Sequence, residues 1–451
     1  MSRCTAEIKV LKGNKTITSR ITQHTVNVTQ VKDIIKWNEE NILSPNRSLD
    51  VAKLDIYSLR MCLFCFVRYV NHTDDTRMAR LIERSLSSQK YGLEFLFGLL
   101  WQLSLVRNSS ARSRTYDAGI GMLNDELKRT YKLQVSLVDM LANLYALVRK
   151  ERKSSRTAVL QRELFTEKYL LFEPVLLPIE SLPCVDGIIP EKSIVFGSAQ
   201  SPLKLTFRTT DGGEFACIFK EGDDVRQDHM TIGVIRFMNA VLRESNIDLH
   251  VITYDVTATK RDGGIIQCLD AQTLSSIIAQ EGGLEKYLGG DGDKIDVFVK
   301  SLAAYTVFTY ILCIGDRHLD NIMVTPNGHF FHIDFSFIGR EPKPFAPQVK
   351  LCPEILVAFQ GKSSGYYQLF INLSIKSYKV LRRNSHLLLD YIHSFCIHGV
   401  ADVNVSLLPF IEARFHLNQT EQAASQIYVE VIEQGLNSVM PRIMEKIHSW
   451  R

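Results

Sequence analysis

The passage that most constrains this chain runs from Gly315 to Phe335. Gly315-Asp316-Arg317-His318-Leu319-Asp320-Asn321 is followed by an apolar run, a Pro326-Asn327-Gly328 turn, a second apolar run and then His332-Ile333-Asp334-Phe335. Proline pre-sets φ at the second turn position and glycine accepts a positive φ at the end, so these residues predict a β-hairpin. A three-residue loop with a bulge is the favoured register, with a two-residue Asn-Gly loop as the rival. Either register brings Asn321 and Asp334 to the open end of the hairpin, within a residue of directly opposite. Opposed residues there lie about 5 Å apart at Cβ, so an amide oxygen and a carboxylate converge where a hard cation finds oxygen ligands. Asp316 and His318 sit just upstream. Taken singly, each of these residues reads as a loop cap. Four polar groups focused at the mouth of an apolar hairpin, however, are costly to assemble without a ligand. A magnesium-binding pair beside a candidate proton acceptor is what phosphoryl transfer requires.

At 451 residues the chain exceeds a single compact core and predicts two or three domains. The composition, 45% hydrophobic and 23% charged, is that of a globular protein. A net charge of +4 over this length argues against a general nucleic-acid binder, while leaving room for a local basic surface against anionic lipid. The nine cysteines have no disulfide-framework spacing and predict a reducing, cytoplasmic setting. Cys62-Leu63-Phe64-Cys65 lies in an apolar helical run and reads as core packing, not as half of a zinc site. No apolar run approaches the ~18 residues of a membrane span, and the polar start does not resemble a signal peptide, so a soluble or peripheral protein is expected.

Residues 1–50 are polar and unassigned. From 51 to 168 the pattern is helical: Leu59, Leu63, Val67 and Val70 recur at helical spacing, as do Leu93, Phe97, Trp101 and Leu105. This region carries Arg149-Lys150-Glu151-Arg152-Lys153, which reads as a solvated helix face. Four of the 13 prolines, Pro174, Pro178, Pro183 and Pro190, then mark a change to extended structure. Strands are predicted at Leu203–Phe207 and Phe215–Phe219, joined at Asp211-Gly212-Gly213, with further strands at Val251–Tyr254 and Gly264–Leu269. An amphipathic helix is predicted over His229–Arg243, and mostly helix from Leu274 onward. The expectation is an α+β, two-lobed architecture with a cleft between the lobes: a β-rich lobe over 169–272 and a helical lobe over 273–451.

Two features of the smaller lobe bear on chemistry. Phe196-Gly197-Ser198-Ala199-Gln200-Ser201-Pro202 precedes a strand, and such a loop either makes an ordinary turn or lets backbone N–H groups and a hydroxyl approach phosphate. Lys220 ends a strand and is followed by the acidic run Glu221-Gly222-Asp223-Asp224-Val225-Arg226-Gln227-Asp228, which could hold its ammonium over a phosphate.

Lys220 with Gly222-Asp223-Asp224-Val225-Arg226-Gln227-Asp228, then Gly315 to Asn321, then His332 to Phe335, resembles the phosphatidylinositol 3-/4-kinase superfamily. Phe337-Ile338-Gly339-Arg340-Glu341-Pro342-Lys343-Pro344, running on to Val349-Lys350-Leu351, is similar to the activation loop of class III phosphatidylinositol 3-kinases. The resemblance is faint over the helical region and strong from Gly187 onward. It implies a protein-kinase-like bilobal catalytic domain behind a shortened helical domain, using ATP with magnesium or manganese to phosphorylate phosphatidylinositol at the 3-hydroxyl. By resemblance, Lys220 meets the α-phosphate, Ser198 belongs to the phosphate loop, and Asp228 and Tyr254 line the inner pocket. Gln267 and Leu269 match the hinge whose backbone bonds adenine, and Met323 and Ile333 match the floor under the base. Asn321 and Asp334 match the metal ligands, His318 the proposed base, and Asp316 the catalytic-loop aspartate. Regulatory subunits of the class III type, and a peripheral place on endosomal or other internal membranes in autophagy and vesicle trafficking, are further implications. A phosphatidylinositol 4-kinase is the enzymatic rival, and a pseudokinase membrane scaffold is the rival of another class.

Two departures from the family pattern stand out. Asp334-Phe335-Ser336 replaces the usual Asp-Phe-Gly, a backbone restriction of about 1 kcal/mol. Full-length class III enzymes also carry a β-sandwich lipid-binding domain, which this chain is expected to lack. Arg340, Lys343 and Lys350, spaced by prolines, suit a single phosphodiester and predict preference for phosphatidylinositol over its 4,5-bisphosphate. At the C-terminus Val439, Ile443, Ile447 and Trp450 share a helical face beside Arg442, Lys446 and Arg451, a stripe that alone reads as core packing, while its similarity to the family's terminal membrane-contacting helix implies a helix lying in the lipid interface.

Overall fold

The computed structural model describes residues 28–34, 92–105, 110–315, 317–336, 338–339, 347–396 and 405–437, with 110–115 described by backbone alone. The chain divides into two compact units, Met1–His229 with Tyr254–Cys268, and Met230–Thr253 with Leu269–Arg451. Leu59, Leu63, Val67, Val70 and the Cys62–Cys65 pair lie outside the described residues, as do Val439, Ile443, Ile447 and Trp450.

Among its described residues the first unit has a short helix over 28–34. Four longer ones follow: α1 (Gly92–Leu105), α2 (Ser110–Gly121), α3 (Asp125–Arg149) and α4 (Arg156–Leu164). In α1 the predicted stripe of Leu93, Phe97, Trp101 and Leu105 is buried, but so are Phe95, Leu96, Leu99, Leu100 and Leu103. A helix apolar on all sides must be enclosed. Helix α3 starts at Asn124, whose side chain accepts from the Leu127 N–H at 2.9 Å, and Asp125 and Glu126 in its first turn suit the helix dipole. Trp101 Nε1 donates to Gln134 Oε1 at 3.0 Å, tying α1 to α3 through a buried hydrogen bond in the core.

The same unit carries an antiparallel sheet of β1 (Val175–Leu176), β2 (Cys184–Ile188), β3 (Ile194–Val195), β4 (Leu203–Thr209), β5 (Glu214–Glu221), β6 (Val256–Lys260) and β7 (Gly263–Gln267). The order is β1-β2-β4-β5-β7-β6, with β3 paired to β4. Leu203, Leu205 and Phe207 are fully buried on one face of β4, each stabilising the fold by roughly 1.5–3 kcal/mol. The β4–β5 hairpin turns where predicted, at Asp211-Gly212-Gly213, with Gly212 at φ +85°.

Two expectations are corrected here. Val251–Tyr254 is not a strand, and the strand lies just beyond it, at Val256–Lys260. The Ile252 carbonyl is taken by the Tyr305 hydroxyl at 2.6 Å rather than by a ladder, and His250 at φ +49° bends the chain beforehand. The helix predicted from His229 starts earlier: α5 spans Arg226–Glu244, because the Asp224 carboxylate accepts from the Arg226 N–H at 3.0 Å and sets the first turn.

The second unit contains β8 (Gln272–Thr273), α6 (Leu274–Gln280), α7 (Leu284–Leu288), α8 (Gly292–Ile311), β9 (Ile322–Val324), β10 (Phe330–His332), α9 (Pro353–Ala358), α10 (Gly365–Arg383), α11 (Ser385–Phe395), α12 (Leu408–Arg414) and α13 (Glu421–Asn437). A small sheet runs β10-β9-β8. Helix α8, capped by Asp291, is buried along most of its length and packs on α10 and β10. The architecture is mixed α+β of the protein-kinase type, as the sequence predicts. Among the described residues no helix is long and apolar enough to cross a membrane, and no disulfide joins the six cysteines described.

Candidate active site

The hairpin that opened the sequence argument forms in its favoured register. Val324 faces Phe330 and His332 faces Ile322, while the Thr325 N–H donates to the His329 carbonyl at 3.0 Å. Pro326, Asn327 and Gly328 therefore make a three-residue loop closed by Gly328 at φ +87°. A Cβ on Gly328 would collide with the Lys294 carbonyl, so both conformation and space demand glycine. At the open end the Ile333 N–H donates to the Asn321 carbonyl at 3.1 Å, which leaves Asp334 one residue beyond direct opposition to Asn321. Met323 and Ile333 fall on the same face of the ladder, as the predicted register requires, and both are part-exposed. The other face is anchored on α8. The Phe330 N–H donates to Ser301 Oγ at 2.9 Å, and His332 Nδ1 lies 3.1 Å from Thr309 Oγ1. Burial, with a smaller contribution from the Arg317 charge, holds the His332 imidazole well below its ordinary pKa of 6.5, so it is a neutral structural residue.

Asp334 has φ +58°, a left-handed backbone that an L-residue adopts only when its surroundings impose it. Arg317 is part of that imposition, and its role was not read from the sequence. Its guanidinium donates to the Gly315 carbonyl at 2.9 Å, to the Ile333 carbonyl at 2.6 Å and to the Asp334 carbonyl, and it lies over the Phe335 ring at 5.7 Å. It thus sews the turn before the hairpin to the strand end that carries Asp334. The only sequence signal was a cation set between Asp316 and His318. Ser336 also holds Asp334, donating to Oδ1 through its N–H at 3.3 Å and its hydroxyl at 2.5 Å. His318 is mostly buried, with Nδ1 3.8 Å from the Asp320 carboxylate. Asp316 lies outside the described residues.

Asn321 and Asp334 supply an amide and a carboxylate oxygen, hard donors that fit magnesium or manganese. Among the described residues no group of three or more His, Cys, Asp and Glu is placed to hold a metal ion by itself. The rest of the coordination shell would come from phosphate and water, the usual way magnesium is held.

In the first unit, Lys220 Nζ donates to Asp223 Oδ2 at 2.8 Å, so the acidic run does hold the ammonium. Lys220 faces Gly264 across β5 and β7, where a Cβ would strike the Thr257 carbonyl and Val225. Asp228, in the first turn of α5, and Tyr254 are buried. Gln267 ends β7; its N–H is committed to the Asp255 carbonyl at 2.8 Å and its side chain accepts from the Asp255 N–H at 3.1 Å. Leu269 opens the second unit's part of the chain. Ser198 is exposed in the loop between β3 and β4.

Two sequence readings change. Arg149 is not part of a solvated face: it donates to the Ala199 carbonyl at 2.6 Å and to Ser201 Oγ at 3.1 Å. The pattern of apolar residues on α3 does not reveal this, because the partners lie about 50 residues further along the chain. Lys350 is buried, only 8% exposed, which does not suit direct contact with a lipid headgroup. Arg340 and Lys343 lie outside the described residues.

With this geometry in place, comparison with known proteins gives a consistent result. The model of the family "Phosphatidylinositol 3- and 4-kinase" matches residues 214–288 and 285–405. Residues 214–405 belong to that family. It is 35% identical over 366 residues to phosphatidylinositol 3-kinase VPS34 of Saccharomyces cerevisiae, covering 76% of this chain and 41% of that protein. It is 30% identical over 407 residues to phosphatidylinositol 3-kinase VPS34 of Arabidopsis thaliana, covering 82% and 49%. Phosphatidylinositol 3-kinase pik3 of Schizosaccharomyces pombe is 30% identical over 401 residues, covering 82% and 50%. The chain thus spans half or less of the length of these lipid kinases.

Proposed function

We propose that this chain is an ATP-dependent lipid kinase that phosphorylates phosphatidylinositol at the 3-hydroxyl. The observation that carries the reading is the hairpin register, which sets Asn321 and Asp334 one residue from opposition at the mouth of an otherwise apolar hairpin. The names of its relatives, phosphatidylinositol 3-kinases in yeasts and plants, support the ring position. A divalent ion held by Asn321 and Asp334 would supply charge neutralisation on the transferring phosphoryl group. Lys220, kept in place by Asp223, neutralises the nucleotide phosphates. Met323 and Ile333 offer an apolar floor for the base, and Asp228, Tyr254, Gln267 and Leu269 complete the nucleotide set. His318 receives the proton of the inositol hydroxyl as the oxygen attacks the γ-phosphorus and the bond to ADP breaks, while Asp316 orients the hydroxyl.

Phosphatidylinositol is presented by a membrane. Arg340 and Lys343 remain the candidates for its phosphodiester, with Lys350 set aside by its burial. Ile443, Ile447 and Trp450 are the candidates for peripheral attachment to internal membranes such as endosomes, and class III-type regulatory subunits are the candidate partners. The test is labelled ATP with phosphatidylinositol vesicles, followed by positional analysis of the deacylated product. Label at the 3-position is expected. Label at the 4-position selects the 4-kinase reading, and absence of label selects a scaffold.

A further inference from the structure

The loop from Phe196 to Pro202 is held from outside by side chains of the preceding helices, and their donors converge on its carbonyl groups. Arg149, the last residue of α3, donates to the Ala199 carbonyl at 2.6 Å and to Ser201 Oγ at 3.1 Å. Arg156, the first residue of α4, donates to Ser201 Oγ at 2.6 Å and braces Arg149 through its carbonyl at 3.0 Å. Tyr145, one turn earlier on α3, gives its hydroxyl proton to the Gln200 carbonyl at 2.6 Å and also lies 3.4 Å from the carbonyl of Glu221, the residue after Lys220. Ser201 is the junction. It is buried, has φ +52°, receives both guanidinium groups on its hydroxyl, and donates from its N–H and its hydroxyl to the Ser198 carbonyl at 3.1 Å each.

A trans peptide sets the C=O of one residue opposite to the N–H of the next. Arg149, by fixing the Ala199 carbonyl, therefore turns the Gln200 N–H away from the Arg149 guanidinium, and the internal bond to the Ser198 carbonyl turns the Ala199 N–H away from Ser201. Successive N–H groups aimed one way are how a loop takes phosphate oxygens. The Tyr145 hydroxyl, 3.4 Å from the Glu221 carbonyl, also sets the same helix beside the strand end that carries Lys220.

We infer that Arg149, Arg156 and Tyr145 are positioning residues for the nucleotide phosphates, so that the helical segment before the catalytic domain sets nucleotide affinity. This rests on reading Phe196–Pro202 as the phosphate loop of a kinase. It extends that reading by making the α3–α4 junction a point through which anything that shifts these helices alters nucleotide binding.

The test uses the full chain and a fluorescent ATP analogue, whose dissociation constant is titrated without turnover, alongside KM for ATP, kcat and Tm. Arg149→Ala should raise both the dissociation constant and KM about tenfold, as expected for losing charged hydrogen bonds that preorganise a site. At saturating nucleotide its kcat should stay within about twofold of the parent. Arg149→Lys, which keeps the charge but not the planar fork, should recover part of the loss. Arg129→Ala, on the same helix but in an exposed pair with Glu173, should bind like the parent. Tyr145→Phe removes a single hydroxyl, should raise the dissociation constant about threefold, and decides the matter if Arg149→Ala does not fold. A folded Arg149→Ala, or failing that Tyr145→Phe, that binds nucleotide as the parent does overturns the inference. So does a fall in kcat with unchanged affinity. If the parent itself binds no nucleotide, the kinase reading falls instead.

Discussion

The Phe196–Pro202 loop of the first unit and the hairpin mouth of the second are held in opposite ways. At the hairpin almost every restraint is local: Arg317, Ser336 and the loop glycine act within about twenty residues, on a ladder seated against buried α8. At the Phe196–Pro202 loop the restraints come from helices far away in sequence, through Tyr145, Arg149 and Arg156. A locally built site is cut by changes inside the motif. A site held from outside also loses function through residues that no motif contains.

The largest effect expected in the first unit is that of Lys220→Met, which removes the ammonium held by Asp223. Turnover should fall on the order of 100-fold or more, while Tm stays near that of the parent because the side chain lies at a strand end. Turnover within a few-fold of the parent would mean that Lys220 does not face phosphate.

Two loop glycines sharpen the contrast in stability. Gly328 and Gly212 have nearly the same positive φ, +87° and +85°, but a Cβ meets the Lys294 carbonyl at Gly328 and nothing at Gly212. Gly328→Ala should therefore cost roughly 2–4 kcal/mol and Gly212→Ala about 1 kcal/mol. Denaturant unfolding of both measures the difference, and equal costs would mean that the hairpin loop is not pinned against α8.

His332 gives the hairpin a pH dependence. Its folded pKa lies below the ordinary 6.5, so the unfolded chain binds the proton more readily. Its contribution is complete above about pH 6.5 and is lost as pH falls below that, at roughly 1 kcal/mol per unit. Thermal unfolding from about pH 7 to 5 should show a steeper loss of Tm in the parent than in His332→Gln. Parallel curves would show that this imidazole is not buried neutral.

The smallest effect concerns Ser336. Releasing the Asp334 carboxylate from its hydroxyl in Ser336→Gly should lower the apparent KM for magnesium about threefold. An unchanged or raised value would mean that the serine does not compete with metal for that oxygen.

This contrast also explains what the sequence made legible. The hairpin register followed from Pro326, Asn327 and Gly328, because turn chemistry and pleat alternation act between neighbours. The Lys220–Asp223 pair was readable for the same reason. Arg149 was misread because its apolar neighbours on α3 fix only the buried face, while its partners come from a loop reached after the sheet begins. Val251–Tyr254 looked like a strand because its residues favour one, but the Ile252 carbonyl is claimed by Tyr305. Lys350 was read as a contact for the phosphodiester because charge in sequence says nothing of burial.

The most direct measurement is transfer of labelled phosphate from ATP to phosphatidylinositol vesicles by the parent chain and by Asp334→Asn, prepared identically and shown to have the same Tm. The parent should label the lipid, and the variant should lose turnover on the order of 100-fold or more because the metal-binding charge is gone. Equal labelling by the two proteins would contradict the assignment of the hairpin mouth as the catalytic centre.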